Sequence, residues 1–186
     1  SAIPRADRNG SLPLSFAQQR LWFVDQLDHA AGAAYHMPAA LRLHGRLDRD
    51  ALQATLDRVV VRHESLRTRF VNRDGAPQQL IADAECGLVL QEHDLAALAA
   101  VEQAAAIAEI SQREVERPFD LECGPLIRGQ LLRLAEDDHV LLLTQHHIIT
   151  DGWSIGVLIQ EVSTLYAAFH AGEPDPLPPL SLQYAD

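Results

Sequence analysis

Apolar positions recur along this chain with two periods, and the places where the period changes mark out its elements. Phe16, Phe23, Val24 and Leu27 fall at helical spacing together with Arg20, with Trp22 beside them, which predicts a helix ending before Ala30–Gly32. Ser15 is placed to cap it, and Gln18, three positions on, completes a capping box. Over Tyr35–His44 the period drops to two: Ala39, Leu41 and Leu43 alternate with Ala40, Arg42 and His44, the pattern of a strand. Asp48 then opens a second helix whose face is Leu52, Leu56, Val59, Val60 and His63. Leu66–Val71 returns to period two, with Leu66, Thr68 and Phe70 on one face and Arg67 and Arg69 on the other. Asn72-Arg73-Asp74-Gly75 is a hairpin signal leading into Gln78–Ala82, and Leu88–Glu92 reads as a further short strand.

An alanine-rich run from Asp94 predicts a long helix to about Arg117, where Pro118 stops it. Leu126–Leu134 and His139–Gln145 form a hairpin across Ala135-Glu136-Asp137-Asp138. Within it the unbroken apolar run Val140-Leu141-Leu142-Leu143 is that of a strand buried on both faces. A last helix begins near Ser154, its stripe Ile155, Leu158, Ile159, Val162, Leu165, Tyr166 and Phe169 continuing until Gly172 and Pro174 end it. Residues 1–14, punctuated by Pro4, Gly10 and Pro13, read as a linker. Residues 15–173 read as the folded lobe and 174–186 as an extended connector. Helices interleaved with hairpins make the fold class α/β, an α+β sandwich.

Composition narrows the function. At 186 residues and 47% hydrophobic content the chain suits one domain, or one lobe of a larger one. No run nears the roughly 18 apolar residues of a membrane span, and the N-terminus lacks an apolar secretory segment. Two cysteines, Cys86 and Cys123, are too few for a disulfide framework, so a reducing cytoplasm is the expected setting. A net charge of −11 argues against nucleic acid as a partner. All 15 basic residues are arginine, which excludes lysine Schiff-base chemistry and a P-loop lysine.

The stretch Thr144–Ser154, TQHHIITDGWS, sits where the buried strand ends and the last helix begins. Adjacent histidines on an extended chain point opposite ways, so one of His146 and His147 faces the interior and the other a cleft. A histidine in a cleft is suited to proton transfer near neutral pH. Asp151 can orient an imidazole, pair with an arginine or cap the helix, and Gly152 permits a tight turn with a close backbone N–H. Three readings stay open on the residues alone: satisfied polar groups at a strand end, a metal site that lacks a third ligand at recognisable spacing, and acid–base catalysis.

This stretch resembles the HHxxxDG signature of nonribosomal peptide synthetase condensation domains. Two further motifs match in order: Ser15–Phe23, SFAQQRLWF, is similar to the family's opening SxAQxRLWF, and Arg62–Phe70, RHESLRTRF, is similar to RHExLRTxF. Pro118-Phe119-Asp120-Leu121 and Gly124-Pro125-Leu126 resemble the family's lead-in to the central hairpin. The resemblance implies a chloramphenicol acetyltransferase-like fold, in which two lobes form a V around a catalytic tunnel. This chain corresponds to the N-terminal lobe, and Tyr184-Ala185-Asp186 is similar to the start of the next motif. A lone lobe is expected to fold but to be inactive.

The implied reaction joins an upstream carrier-bound peptidyl or acyl thioester to the amine of a downstream aminoacyl thioester. The resemblance gives His147 the chemistry, as base or as positioning group, makes His146 chiefly structural, and puts the Gly152 N–H beside the substrate path. It places Asp151 in a buried ion pair for which Arg67 is the favoured partner and Arg62 the runner-up. Phosphopantetheine belongs to the carriers, so neither a cofactor nor a metal is expected on the domain. The implied partners are the upstream and downstream peptidyl carrier domains, the C-terminal lobe and an adenylation domain of the same synthetase. Trp22 and Trp153 read as core or rim packing, Ser154 as a helix cap and Cys123 as a buried thiol. An epimerisation domain of the same fold and a non-catalytic carrier-recruiting platform are the alternatives. The AQQRLW opening counts against the first, and the intact signature counts against the second.

Overall fold

In the computed structural model, which describes residues 3–186, the apolar run 140–143 lies in the middle of a four-stranded sheet. The strands in chain order are β1 (Leu12–Pro13), β2 (His36–His44), β3 (Thr68–Arg73), β4 (Ala76–Ile81), β5 (Leu90–Asp94), β6 (Ile127–Ala135) and β7 (Asp138–His146). The helices are α1 (Phe16–Leu27), α2 (Arg49–Arg62), α3 (Ala100–Glu116) and α4 (Gly152–His170). The main sheet runs β2-β7-β6-β5, antiparallel except for the parallel pair β5–β6, and a small sheet runs β1-β4-β3.

Side chains alternate across β6 and β7 as the pleat requires. Leu131, Leu141 and Leu143 join the core under α2 and α4, alongside Leu52, Leu56, Leu158, Val162 and Leu165. Leu132, Leu134, Val140 and Leu142 pack on the opposite face against Ala106, Ile107 and Ile110 of α3. The central strands are thus covered on both sides, giving the α/β sandwich that the element order implies. Asp48 caps α2 by accepting the Ala51 N–H at 3.0 Å, and the predicted face Leu52, Leu56, Val59 and Val60 is buried. The β3–β4 hairpin closes on Asp74-Gly75, both with positive φ, the two-residue turn that matches strand twist.

Four sequence expectations differ. The α1 capping box forms, with Ser15 N donating to Gln18 Oε1 at 2.9 Å. The helix nevertheless buries Gln18, Leu21 and Asp25, while Phe16, at 92% exposed, Phe23 and Leu27 face outward. Helix α3 starts at Ala100 rather than Asp94: Asp94 ends β5 against β6, Leu95 N donates to Arg133 O at 2.8 Å, a turn follows, and Glu102 accepts the Ala99 N–H at the helix start. Residues 64–67 form a 3-10 turn, so Leu66 and Arg67 precede the strand instead of belonging to it.

The fourth difference concerns the end of the segment read as a linker. Ser1 and Ala2 lie outside the described residues, but Leu12 and Leu14 are buried and β1 pairs with β4, so the linker reading fails from Leu12 onward. Residues 174–186 fold back over the lobe: Arg58 meets Asp175 at 2.5 Å, and Gln183 Nε2 donates to Arg62 O at 2.8 Å. Arg8 joins the two ends, at 2.8 Å from both Glu64 and Asp186.

Candidate functional site

Strand β7 ends at His146, and the pleat sends that side chain inward, where it is 1% exposed. Its Nδ1 accepts the Ile148 N–H at 3.0 Å, so the ring caps the 3-10 turn His147–Ile149. Burial, with His36 and His147 adding to it, pushes the His146 pKa down to about 4. A neutral ring that accepts at Nδ1 carries its hydrogen on Nε2.

His147, one residue on, is exposed. Its Nδ1 lies 2.6 Å from Thr150 O. A carbonyl oxygen can only accept, so Nδ1 holds the hydrogen and the neutral ring presents its lone pair at Nε2. The turn that His146 caps therefore fixes both the place and the tautomer of His147.

His147 borders a cavity of about 480 Å³ between α1, the β7–α4 junction and the segment 180–184. Gln18, His63, Ser65, Gln145, Trp153 and Tyr184 also line it. Gln18 Nε2 donates to Ile148 O at 3.4 Å, tying α1 to the turn. Tyr184 meets Ser15 across the mouth at 3.1 Å between hydroxyls. The site thus holds a proton acceptor, further hydrogen-bonding groups, the Asp151 carboxylate and an apolar rim.

Sequence reasoning missed one feature of this wall. Glu161, buried on α4, binds Arg62 Nε at 3.0 Å with one oxygen and His63 Nε2 at 2.5 Å with the other. A signal for it exists: with Leu158, Leu165 and Ala168 buried on α4, a glutamate on the same inward face needs buried partners. Arg62 and His63, at the end of the neighbouring helix, supply them.

Asp151 is not in a buried ion pair. It is exposed, caps α4 by accepting the Ser154 N–H at 2.7 Å, and pairs with neither of the expected arginines. Those bonds from Ser154 hold its carboxyl below the usual range. Arg62 is taken by Glu161, and Arg67 donates to Ala82 O at 2.6 Å in a different groove. Ser154 is therefore the recipient of the cap rather than the cap. Gly152 is the first helical residue and has no positive φ. A Cβ there would meet nothing within 4 Å, so the glycine leaves open space instead of making a tight turn. Trp22 packs on the core, Trp153 stands exposed on the cavity rim, and Cys123 is exposed rather than buried. Asp120 raises the Cys123 pKa, which disfavours a thiolate.

Among the described residues no group of three or more His, Cys, Asp or Glu side chains could hold a metal ion. No described helix is long and apolar enough to cross a membrane.

Comparison with known proteins agrees with the motifs. A family model described as "Condensation domain" matches residues 8–186. The chain is 49% identical over 186 residues to malpibaldin synthetase of Mortierella alpina, covering all of this chain and 3% of that protein. It is 50% identical over 184 residues to chondramide synthase cmdD of Chondromyces crocatus, covering 99% of this chain and 5% of the relative. Among solved structures, the X-domain from teicoplanin biosynthesis superposes with a TM-score of 0.81 at 34% identity, over 99% of this chain and 38% of that one. The starter condensation domain of rhizomide synthetase superposes with a TM-score of 0.82 at 27% identity, over 91% of this chain and 40% of that one. The fold is that of these domains, chloramphenicol acetyltransferase-like, and the chain spans well under half of each. With its signature histidines at the junction of β7 and α4, this chain belongs to the condensation domain family of nonribosomal peptide synthetases.

Proposed function

We propose that this chain is the N-terminal lobe of a condensation domain that joins two carrier-bound thioesters through a new amide bond, and that His147 handles the proton of the attacking amine. The observation that carries the reading is the His147 ring, with Nδ1–H tied to Thr150 O at 2.6 Å and Nε2 left as a lone pair beside the 480 Å³ cavity. As the amine nitrogen bonds to the thioester carbonyl carbon it must lose a proton. An Nε2 lone pair in a fixed position can take that proton or hold the amine by it. The carbon–sulfur bond then breaks, and the thiolate leaves with a proton returned from the ring. Open space beside Gly152, at the start of α4, leaves room for the carbonyl near the positive end of the helix dipole.

The substrates arrive on phosphopantetheine arms of upstream and downstream carrier domains, so this lobe needs to supply positioning and one proton-transfer group. Alignment of two arms is worth several kcal/mol and needs a second wall, which the C-terminal lobe provides. The 186-residue chain alone is accordingly inactive. The test is His147→Ala in the parent domain, assayed by mass spectrometry for amide formation between loaded carriers. A loss of about 10²- to 10⁴-fold is expected, and unchanged turnover rejects the role.

A further inference from the structure

His36 and His146 face each other across the end of the β2–β7 ladder, as direct register partners with ring centroids 5.9 Å apart. Both are more than nine-tenths buried, and Phe119 packs T-shaped against both rings. Each ring has one nitrogen spoken for. His36 Nδ1 lies 2.5 Å from Val115 O, a carbonyl, so it must donate, and its Nε2 carries a lone pair. His146 Nδ1 accepts from Ile148 N–H, so its Nε2 carries the hydrogen. The two remaining atoms, His36 Nε2 and His146 Nε2, are buried and have no hydrogen-bond partner among the described residues. One is an acceptor and the other a donor.

We infer that His36 is a positioning residue for His147, acting through one buried water that accepts from His146 Nε2–H and donates to His36 Nε2. A water needs polar partners of this kind to be held in an interior, and two orphaned buried imidazole nitrogens of opposite sense are costly without one. The result is a one-directional chain: Ile148 N–H to His146, His146 to water, water to His36, His36 to Val115 O. It locks the hydrogen of His146 onto Nε2. Were that hydrogen to move to Nδ1, the Ile148 N–H would lose its acceptor and the turn presenting His147 would loosen. The consequence for turnover rests on the function proposed above, whereas the water and the tautomers do not.

Two measurements on the folded chain decide the inference without any assay. Ring-nitrogen NMR should find the hydrogen on Nδ1 of His36 and on Nε2 of His146. A high-resolution crystal structure should show a water within hydrogen-bond distance of both Nε2 atoms. A hydrogen on His36 Nε2, or no water between the rings, overturns it. In the His36→Leu variant, the Ile148 amide should exchange at least tenfold faster while the amides of α2 stay protected. His146 should then share its hydrogen between both nitrogens. In the parent domain the same variant should lower kcat and leave KM for the loaded carriers unchanged. Unaltered Ile148 exchange in a folded His36→Leu chain would contradict the chain of bonds. If the variant does not fold, the wild-type tautomers and water still decide. If these hold while His147→Ala remains active, the proposed function fails and the buried water stands.

Discussion

The β7–α4 junction has two sides made from adjacent residues of one type, and they do opposite things. On the inner side His146 is enclosed with His36 and Phe119, is driven neutral by burial, and has its Nδ1 committed to a backbone amide. On the outer side His147 is exposed, is held through Nδ1 by Thr150 O, and keeps Nε2 for something else. The pleat and a single turn of 3-10 helix set this contrast, rather than the residues themselves. The inner ring serves to aim the outer one.

Interfering with the wall that supports the outer side should have the largest effect on folding. Glu161→Ala would strand the Arg62 guanidinium and His63 inside the lobe. Removing one partner of such a pair costs about 3–5 kcal/mol, to be read from denaturant melts of the chain. A change under about 1 kcal/mol would mean that water already compensates the guanidinium.

The inner side should reveal itself through acid. Because the folded pKa of His146 is near 4 and its ordinary value is 6.5, the unfolded chain takes up the proton first as pH falls. Stability is therefore full above about pH 6.5 and declines down to about pH 4, by roughly 3 kcal/mol for this one ring. His36, whose pKa burial also lowers, adds to the same slope. Melts across that range should lose much of the slope in His146→Leu.

A further contrast lies within α1. Leu21→Ala should cost about 2–5 kcal/mol, as a core truncation does. Phe16→Ser, on the face that the sequence pattern favours, should change stability by about 0.5 kcal/mol or less. Equal losses would return α1 to the orientation suggested by its apolar spacing.

That helix shows where the sequence stops being legible. Helix α2 can be read in full, since its capping Asp48 and its apolar residues belong to the face that packs on α4. Helix α1 misleads because its inward positions include the polar Asp25 and Gln18, the latter reaching Ile148 O far along the chain, and because its phenylalanines are left for the surface. The double histidine is legible as one ring in and one ring out, which alternation alone dictates. The support of the site is not. The signature points Asp151 toward a distant arginine, yet the α4 amides beside it supply the nearest donors, and Arg62 instead meets Glu161, further along α4. Local bonds at a helix start win over a long-range pair, and only the fold shows which glutamate lies opposite Arg62.

The central claim is the division of labour between the two histidines. Its most direct test is to make His146→Leu and His147→Leu separately in the parent domain and to measure, for each, the melting temperature and the rate of amide formation. His147→Leu should melt like the wild type and lose about 10²-fold or more in rate. His146→Leu should be destabilised by about 1–3 kcal/mol through the orphaned Ile148 N–H and keep measurable turnover where it remains folded. A destabilised but active His147→Leu protein, beside a stable and inactive His146→Leu protein, would contradict it.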